Sequence, residues 1–297
     1  MALEFEPLSL ERQTLYMERL RASRTNASDY SFANIWGWAE EYGLQWAWET
    51  DLVWIRQTRP EERLWAPVGP WASVDWSRRL LPHLDGGVRM IRVPEALKTS
   101  FQSVLDDRIR IEDAREHWDY LYQVDELVAL KGNRFHKKKN LLKQFRKNYD
   151  YRFQPMSPEI IEMALEMQEE WCLWRDCEAS ETLAAENRAI TRVFQHWETL
   201  THLIGGALMV EETPVAYTVA EALTDDTLVI HFEKGCTGFK GVYQAINQLF
   251  LDNEADGFTL VNREQDLGDP GLRKAKESYN PVDYVKKYMV SSRTGNA

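Results

Sequence analysis

The second half of the chain alternates between a helical and a strand-like spacing of its apolar residues. Ser157, Pro158 and Glu159 form a helix start, with a hydroxyl cap, a proline in the first turn and an acid beside it. The positions that follow at helical spacing are Ile160, Ile161, Ala164, Leu165, Gln168 and Trp171. This period of about 3.6 residues predicts a helix that begins at Pro158.

The other elements of this half are predicted from the same two periods. Strands are expected at residues 151–153, 203–210, 215–222, 227–233, 258–261 and 284–290, and further helices at 181–200, 241–251 and 271–279. The resulting order, β-α-α-β-β-β-α-β-α-β, resembles that of the GNAT acyltransferase fold. Element order is evidence about the fold and does not by itself assign a function.

The first half repeats this rhythm in weaker form. Helices are expected at 9–21, 32–42 and 76–84, and strands at 44–48, 52–57, 63–66 and 88–93. The segment GVRMIRV follows a predicted helix as GFTLVNR does later, and LVWIRQ parallels LVIHFE. We therefore predict an α/β (α+β) protein with two GNAT-like units, residues 1–125 and 126–297. The alternative is two unrelated segments that share a common α/β rhythm.

Composition and charge narrow the class of protein. The chain has 297 residues, 44% hydrophobic content and 12 tryptophans, which is enough for a large core. A net charge of −11 argues against a protein devoted as a whole to binding nucleic acid.

Location and redox state are also predicted from the sequence. Neither a signal-peptide pattern at the N-terminus nor an apolar run of about 18 residues is present. Cys172, Cys177 and Cys236 are expected to be reduced thiols in a cytoplasmic protein, which contacts a membrane at most peripherally, and no metal site is expected.

A basic segment lies at the junction of the two halves. Residues 131–149 contain eight lysines and arginines and no acid, among them Lys131, Arg134, Lys137, Lys138 and Lys143, with His136 between them. A helix from about residue 135 has one apolar stripe and one positive face. Candidate ligands are tRNA, a phospholipid headgroup and the phosphates of coenzyme A. The alternative is a solvated helix face matched to acidic surface elsewhere.

A glycine-rich stretch precedes the predicted helix at 241–251. Gly235, Gly238 and Gly241 come before Tyr243, and a helix N-terminus with free backbone amides suits an anion. GNAT enzymes hold coenzyme A there with the pattern R/Q-x-x-G-x-G/A. Gly235 replaces the first residue of that pattern and Lys240 the last. Gly238, Gly241 and Tyr243 remain candidates for phosphate binding, but the departure argues against ordinary acetyl-CoA use.

Charges of both signs concentrate in residues 262–281, directly after a predicted strand. Asp266 or Glu233 is a candidate general base, and Arg273 and Lys276 are candidates to neutralise developing charge or bind a phosphate. Asn262, Arg263 and Tyr288 are candidate substrate contacts. We predict that Asp266, Arg273 and Lys276 converge in one pocket. The alternative is a surface cluster of ion pairs, each of which stabilises the fold by less than about 1 kcal/mol.

Four blocks of sequence resemble a bacterial family similar to the C-terminal, cytoplasmic domain of phosphatidylglycerol lysyltransferase. They are residues 28–48, 131–149, 231–250 and 262–288, and they span nearly the whole chain. The resemblance implies a tandem GNAT fold and transfer of an aminoacyl group from aminoacyl-tRNA to a lipid. The ending of those relatives is matched here by Arg273, Lys276, Tyr279, Pro281 and Tyr288.

The sequence therefore predicts an acyl- or aminoacyltransferase. The donor is aminoacyl-tRNA in the leading hypothesis, and the acceptor is a lipid or a small molecule. Two alternatives stay open at this point: a small-molecule N-acyltransferase that uses acyl-CoA, and a binding module of the same fold without catalysis.

Overall fold

A computed structural model of the chain describes residues 3–84, 87 and 89–293. The chain forms two compact units. The first comprises Met1–Asp119, Gln265–Pro270 and Tyr284–Ala297, and the second comprises Tyr120–Glu264 and Gly271–Asp283. The division into GNAT-like units at residue 125 stays a prediction.

The first unit is built on a seven-stranded mixed sheet in the order β1-β2-β3-β4-β5-β14-β6. Its strands are β1 (Glu6–Pro7), β2 (Gln45–Trp48), β3 (Val53–Gln57), β4 (Arg63–Trp65), β5 (Met90–Pro94), β6 (Ile109–Asp113) and β14 (Lys287–Ser292). Its helices are α1 (Gln13–Ser23), α2 (Phe32–Gly37), α3 (Ala39–Tyr42), α4 (Trp76–Leu84) and α5 (Glu95–Leu105). Trp46, Trp54 and Trp65 are fully buried in its core, which accounts for part of the tryptophan content.

The second sheet also has seven strands, in the order β13-β7-β12-β11-β10-β9-β8. They are β7 (Asp119–Gln123), β8 (Tyr151–Pro155), β9 (Leu203–Val210), β10 (Thr213–Ala222), β11 (Thr227–Gly235), β12 (Leu260–Asn262) and β13 (Asp283–Val285). The helices of this half are α6 (Val124–Ala129), α7 (His136–Asn148), α8 (Pro158–Arg175), α9 (Glu181–Gln195), α10 (Val242–Glu254) and α11 (Pro270–Glu277).

The predicted α/β class is confirmed, and the elements of the second half follow the predicted order from β8 to α11. The Ser157 hydroxyl accepts a hydrogen bond from the Ile160 amide, with Pro158 in the first turn of α8, as the sequence indicates. Each sheet contains a parallel pair of strands. In the first sheet β4 pairs with β5, and in the second sheet β11 pairs with β12. Within the described ranges no helix is long and apolar enough to cross a bilayer.

Several sequence predictions differ from the structure. Helix α9 ends at Gln195, before the expected residue 200. The expected strand at 284–290 is two strands, β13 and β14, which belong to different sheets. The sequence analysis did not predict β6, β7, α5 or α6. Val88, the first residue of the strand expected at 88–93, lies outside the described residues.

The prediction that all cysteines are reduced is wrong for one pair. Cys172 and Cys177 form a disulfide, with their Cα atoms 5.0 Å apart. Helix α8 ends at Arg175, and Asp176 takes a left-handed conformation with φ of 52°. The chain therefore turns back, and Cys177 lies beyond the end of the helix that contains Cys172. Cys236 remains a half-buried free thiol.

Candidate active site

Strands β11 and β12 run side by side and then separate. Their pairing joins Thr227 to Leu260 and ends where Val229 meets Asn262, whereas β11 continues to Gly235. We call the region between residues 230–235 and the chain after Asn262 the β11/β12 fork. Because polar side chains at the diverging ends of two parallel strands face the same opening, a ligand site is expected there.

Arg263 is the central charge of the fork. Its Nη2 donates to Glu233 Oε1 at 2.9 Å, and Asn247 Nδ2 of α10 donates to Glu233 Oε2 at 3.1 Å. Burial lowers the pKa of Arg263, but the charge of Glu233 and neighbouring tyrosines raises it overall, so the guanidinium stays charged. Its Nη1 is buried and has no hydrogen-bond partner among the described residues.

A second cation, Lys138 of α7, lies near Arg263. Its Nζ is 3.9 Å from the centre of the Tyr279 ring, and the Arg263 guanidinium is 4.9 Å from the same ring. Burial, and then repulsion by Arg263, lower the pKa of Lys138 to about 8. Gln244 Nε2 donates to the Tyr279 hydroxyl at 3.3 Å, and burial raises the pKa of that hydroxyl. Two cations, Arg263 and Lys138, therefore lie beside the Tyr279 ring, and the carboxylate of Glu233 pairs with one of them.

Lys276 holds the backbone of the fork in place. Its ammonium donates to the carbonyl oxygen of Arg263. The Tyr122 hydroxyl donates to the carbonyl oxygen of Lys276 at 2.8 Å. These two bonds link α11, β7 and the residue after β12, so they fix the position from which the Arg263 side chain projects.

A buried histidine between two carboxylates lies on the same strand. His231 Nδ1 is 2.8 Å from Glu264 Oε1, and its Nε2 is 3.2 Å from Glu221 Oε2. His231 occupies a β-bulge, since Ala220 pairs with Ile230 and Val219 with Phe232. Burial lowers its pKa, but hydrogen bonds to Glu221 and Glu264 raise the pKa to about 9. The imidazolium is therefore charged at neutral pH and ties β10 to the chain after β12.

Only part of the predicted basic segment enters the fork. Lys131, Lys137 and Lys143 are exposed, as is His136, and Arg134 pairs with Glu126. The expected helix is present as α7, with Leu142 and Phe145 buried on its apolar face. Lys138 alone among the predicted phosphate-binding lysines is half-buried beside Tyr279.

The predicted glycine loop leads into α10. Gly241 has φ of +86°, and a Cβ there would lie 2.3 Å from the Leu141 carbonyl oxygen, so glycine is required. Gly238 lines a separate cavity of about 230 Å³ with Trp171, Trp174 and Cys236. Burial raises the pKa of the Tyr243 hydroxyl.

The predicted catalytic residues do not all share one unit. Glu233 and Lys276 belong to the fork, and Arg273 lies on α11 of the second unit. Asp266 belongs to the first unit, where it is fully buried and pairs with Arg115 at 3.1 Å. The convergence of Asp266, Arg273 and Lys276 in one pocket stays a prediction.

Two predicted substrate contacts have other partners. Asn262 is fully buried, and its Oδ1 accepts from the Glu264 amide at 2.7 Å. Tyr288 lies on β14 of the first sheet and donates to Glu95 at 3.0 Å; burial and that carboxylate raise its pKa to about 12.

Sequence reasoning missed His231, Glu221, Glu264, Asn247 and Gln244. His231 and Glu233 are two residues apart on a predicted strand, so the sequence places both on one face of that strand, which was a usable signal. The positions of Asn247 and Gln244 on the first turns of α10 carried no comparable signal, because amides occur widely on helix surfaces.

The sequence was compared with models of known protein families. The family profile described as "Phosphatidylglycerol lysyltransferase, C-terminal" matches residues 20–291. The chain belongs to this family. The matched range includes Glu233, Arg263, Lys138 and Tyr279. No curated protein sequence matches the chain.

Solved structures show the same fold over the whole chain. A conserved protein of unknown function from Bacteroides thetaiotaomicron is 30% identical, with a TM-score of 0.90, over 98% of this chain and 100% of that one. L-PGS from Bacillus licheniformis is 14% identical, with a TM-score of 0.66, over 98% and 94%. A tandem GNAT protein from the clavulanic acid biosynthesis pathway is 10% identical, with a TM-score of 0.52, over 100% of both chains. The fold is a tandem GNAT fold.

Proposed function

We propose that the chain is an aminoacyltransferase that acts at the β11/β12 fork of the second unit. The observation that carries the proposal is the pair of cations, Arg263 and Lys138, whose charged groups both lie within 5 Å of the centre of the Tyr279 ring, at 4.9 Å and 3.9 Å. Transfer of an acyl group from an ester requires a group that removes a proton from the nucleophile and a donor that stabilises the oxyanion. The family assignment supports an aminoacyl ester as donor.

Arg263 is suited to stabilise the oxyanion. Its buried Nη1 is available as a donor, while Nη2 is held by Glu233. Both oxygens of Glu233 are occupied, one by Arg263 and one by Asn247. This supports a positioning role for Glu233, in place of the general-base role expected from the sequence.

Lys138 is suited to move the proton. With a pKa of about 8, part of its population is the neutral amine at neutral pH. That amine accepts the proton of an attacking hydroxyl or amine as the new bond to the carbonyl carbon forms. The resulting ammonium returns the proton to the departing ester oxygen when the tetrahedral intermediate collapses, so the atoms and charges balance.

The exposed face of α7 supports a polyanionic donor. Lys137 and Lys143 are exposed on the same helix that supplies Lys138 to the fork. A phosphate backbone bound along this face brings an aminoacyl end toward Lys138. We therefore propose aminoacyl-tRNA as donor and a lipid or small molecule as acceptor.

The test measures transfer of a radiolabelled aminoacyl group from a mixed aminoacyl-tRNA pool to phosphatidylglycerol vesicles and to small amines. Lys138→Gln is expected to lower kcat/KM by about 10² to 10⁴. Lys138→Arg keeps the positive charge but cannot give up a proton, so it should keep donor binding and lose turnover. In wild type, kcat/KM should rise with pH and level off above about 8.

Lys139→Gln is the matched control, because this exposed lysine is the next residue on the same helix. It should transfer like wild type. Full activity of Lys138→Arg contradicts the proton-transfer role. Transfer by wild type from acyl-CoA alone supports the N-acyltransferase alternative, and no transfer from either donor supports a binding module.

A further inference from the structure

One end of the first sheet carries an arginine from each of four neighbouring strands. Arg63 begins β4, Arg89 precedes β5, Arg110 lies on β6 and Arg293 follows β14. The backbone places them at the same end: the Leu64 amide donates to the Arg89 carbonyl at 3.1 Å, and the Arg293 amide donates to the Arg108 carbonyl at 3.0 Å. We call these four residues the arginine row.

The arginine row lines a cavity of about 600 Å³, with Ile91 and Met289 contributing an apolar surface. Met90, which alternates with Ile91 on β5, is buried on the opposite face of the sheet. The cavity therefore lies over the sheet face that the core does not use. Its volume is within the range of about 300–1,000 Å³ that is usual for small-molecule sites.

The charges of the row are only weakly neutralised. Arg63 pairs with Glu61, Arg110 with Glu112 at 2.8 Å and Arg293 with Asp107 at 3.3 Å. These three acids are 64%, 43% and 89% exposed, so water screens each pair and a stronger anion can replace it.

Arg89 has no carboxylate partner within the described ranges. The chain as a whole has a net charge of −11, so the arginine row is a local excess of positive charge. These side chains lie at the surface, so they contribute little to the stability of the fold. The chemical consequence of this excess is anion binding, since guanidinium groups match phosphate oxygens in pairs.

We propose that the arginine row binds a small organic molecule that carries two or more phosphate groups. Four adjacent strands span about 14 Å, which is longer than a single phosphate requires. Ile91 and Met289 provide a surface for an apolar part of the ligand. This site lies within the first unit and does not depend on the proposed transferase activity at the fork.

Inorganic pyrophosphate and triphosphate serve as probes, with the full chain and its melting temperature and calorimetric affinity as readouts. Both probes are expected to raise the melting temperature of wild type, since a ligand of the native state stabilises it by mass action. Arg89→Glu/Arg110→Glu should weaken binding by at least about tenfold, because two charged contacts are lost. Arg89→Gln/Arg110→Gln removes the same contacts without reversing charge and should weaken binding as well.

Arg21→Glu is the control for net charge, since it changes the charge by two units, as Arg89→Gln/Arg110→Gln does, at an exposed residue of α1 outside the row. It should bind the probes like wild type. Absence of any stabilisation of wild type overturns the proposal. So does equal weakening by Arg21→Glu, because binding then follows the overall charge and not the arginine row.

Discussion

His231 carries a buried positive charge, which the carboxylates of Glu221 and Glu264 balance. Its side chain is 1% exposed, and the hydrogen bonds that it donates to Glu221 and Glu264 hold its pKa at about 9. The reference pKa of histidine lies near 6.5, so the folded state keeps a proton that the unfolded chain releases. This single residue therefore links the stability of the second unit to pH.

We expect His231→Gln to remove a pH-dependent part of the stability. A raised pKa in the folded state means that its stabilisation is complete below pH 6.5 and is lost as the pH rises through about 9. The difference in free energy of unfolding between wild type and variant should shrink over that window by up to about 3 kcal/mol. Denaturant unfolding at a series of pH values measures it.

His136→Gln is the matched control, because His136 is exposed at the start of α7. It should change the free energy of unfolding by no more than about 0.5 kcal/mol. A His231→Gln difference that is constant from pH 6 to pH 9 contradicts the assignment of a buried imidazolium.

Helix α7 has a charge pattern that helix stability alone does not favour. Lys137, Lys138 and Lys139 occupy its first turn, where no acid is present. The positive end of the helix dipole disfavours cations there by about 0.3–1 kcal/mol each. The cost is consistent with an anion that binds this end of the helix.

We expect Lys137→Glu/Lys143→Glu to weaken binding of tRNA or heparin and to reduce its salt dependence. Each lost phosphate contact should lower the slope of log K against log salt by about 0.7–0.9. Arg21→Glu/Arg78→Glu makes the same change in net charge on two other helices and should leave the slope unchanged. Equal effects of the two double variants would indicate that overall charge, and not α7, determines binding.

At the scale of the whole molecule, the end of the chain completes the first unit. Strand β14 lies between β5 and β6, and Lys287 at its start is fully buried. The Lys287 ammonium contacts Asp119 Oδ1 at 2.6 Å and also pairs with Asp29. Burial raises the pKa of Asp29, but Lys287 and Arg92 lower it overall to about 2. Residues from three distant parts of the sequence thus neutralise one another in the core.

We expect Lys287→Met to destabilise the first unit by about 3–5 kcal/mol, because it leaves two buried carboxylates with one cation fewer. Lys286→Met is the control: this adjacent lysine pairs only at the surface, with Glu95 at 3.5 Å, and should change stability by less than about 1 kcal/mol.

A chain that ends at residue 283 lacks β14 and should not show a folded first unit. Thermal unfolding of the three proteins, followed by tryptophan fluorescence, provides the measurement.

Many of the local elements of this protein, but not β6, β7, α5 or α6, were predicted from the sequence alone. The cap at Ser157, the apolar period of α8 and the apolar runs of β9 to β11 are signals carried by neighbouring residues, and they predicted elements close to those observed. Glu233, Arg263, Lys138 and Lys276 were recognised as candidate site residues because charged groups follow a buried strand or form a basic helix.

Tertiary structure alone decided which of these residues meet. The C-terminal strand joins the first sheet and β7 joins the second, and such pairing between distant segments leaves no periodic signal in the sequence. The bulge at His231, the disulfide after α8 and the placement of Asp266 with Arg115 depend on the same long-range packing. The pKa values of Lys138 and His231 follow from burial and from partners far along the chain, so only the folded structure determines them.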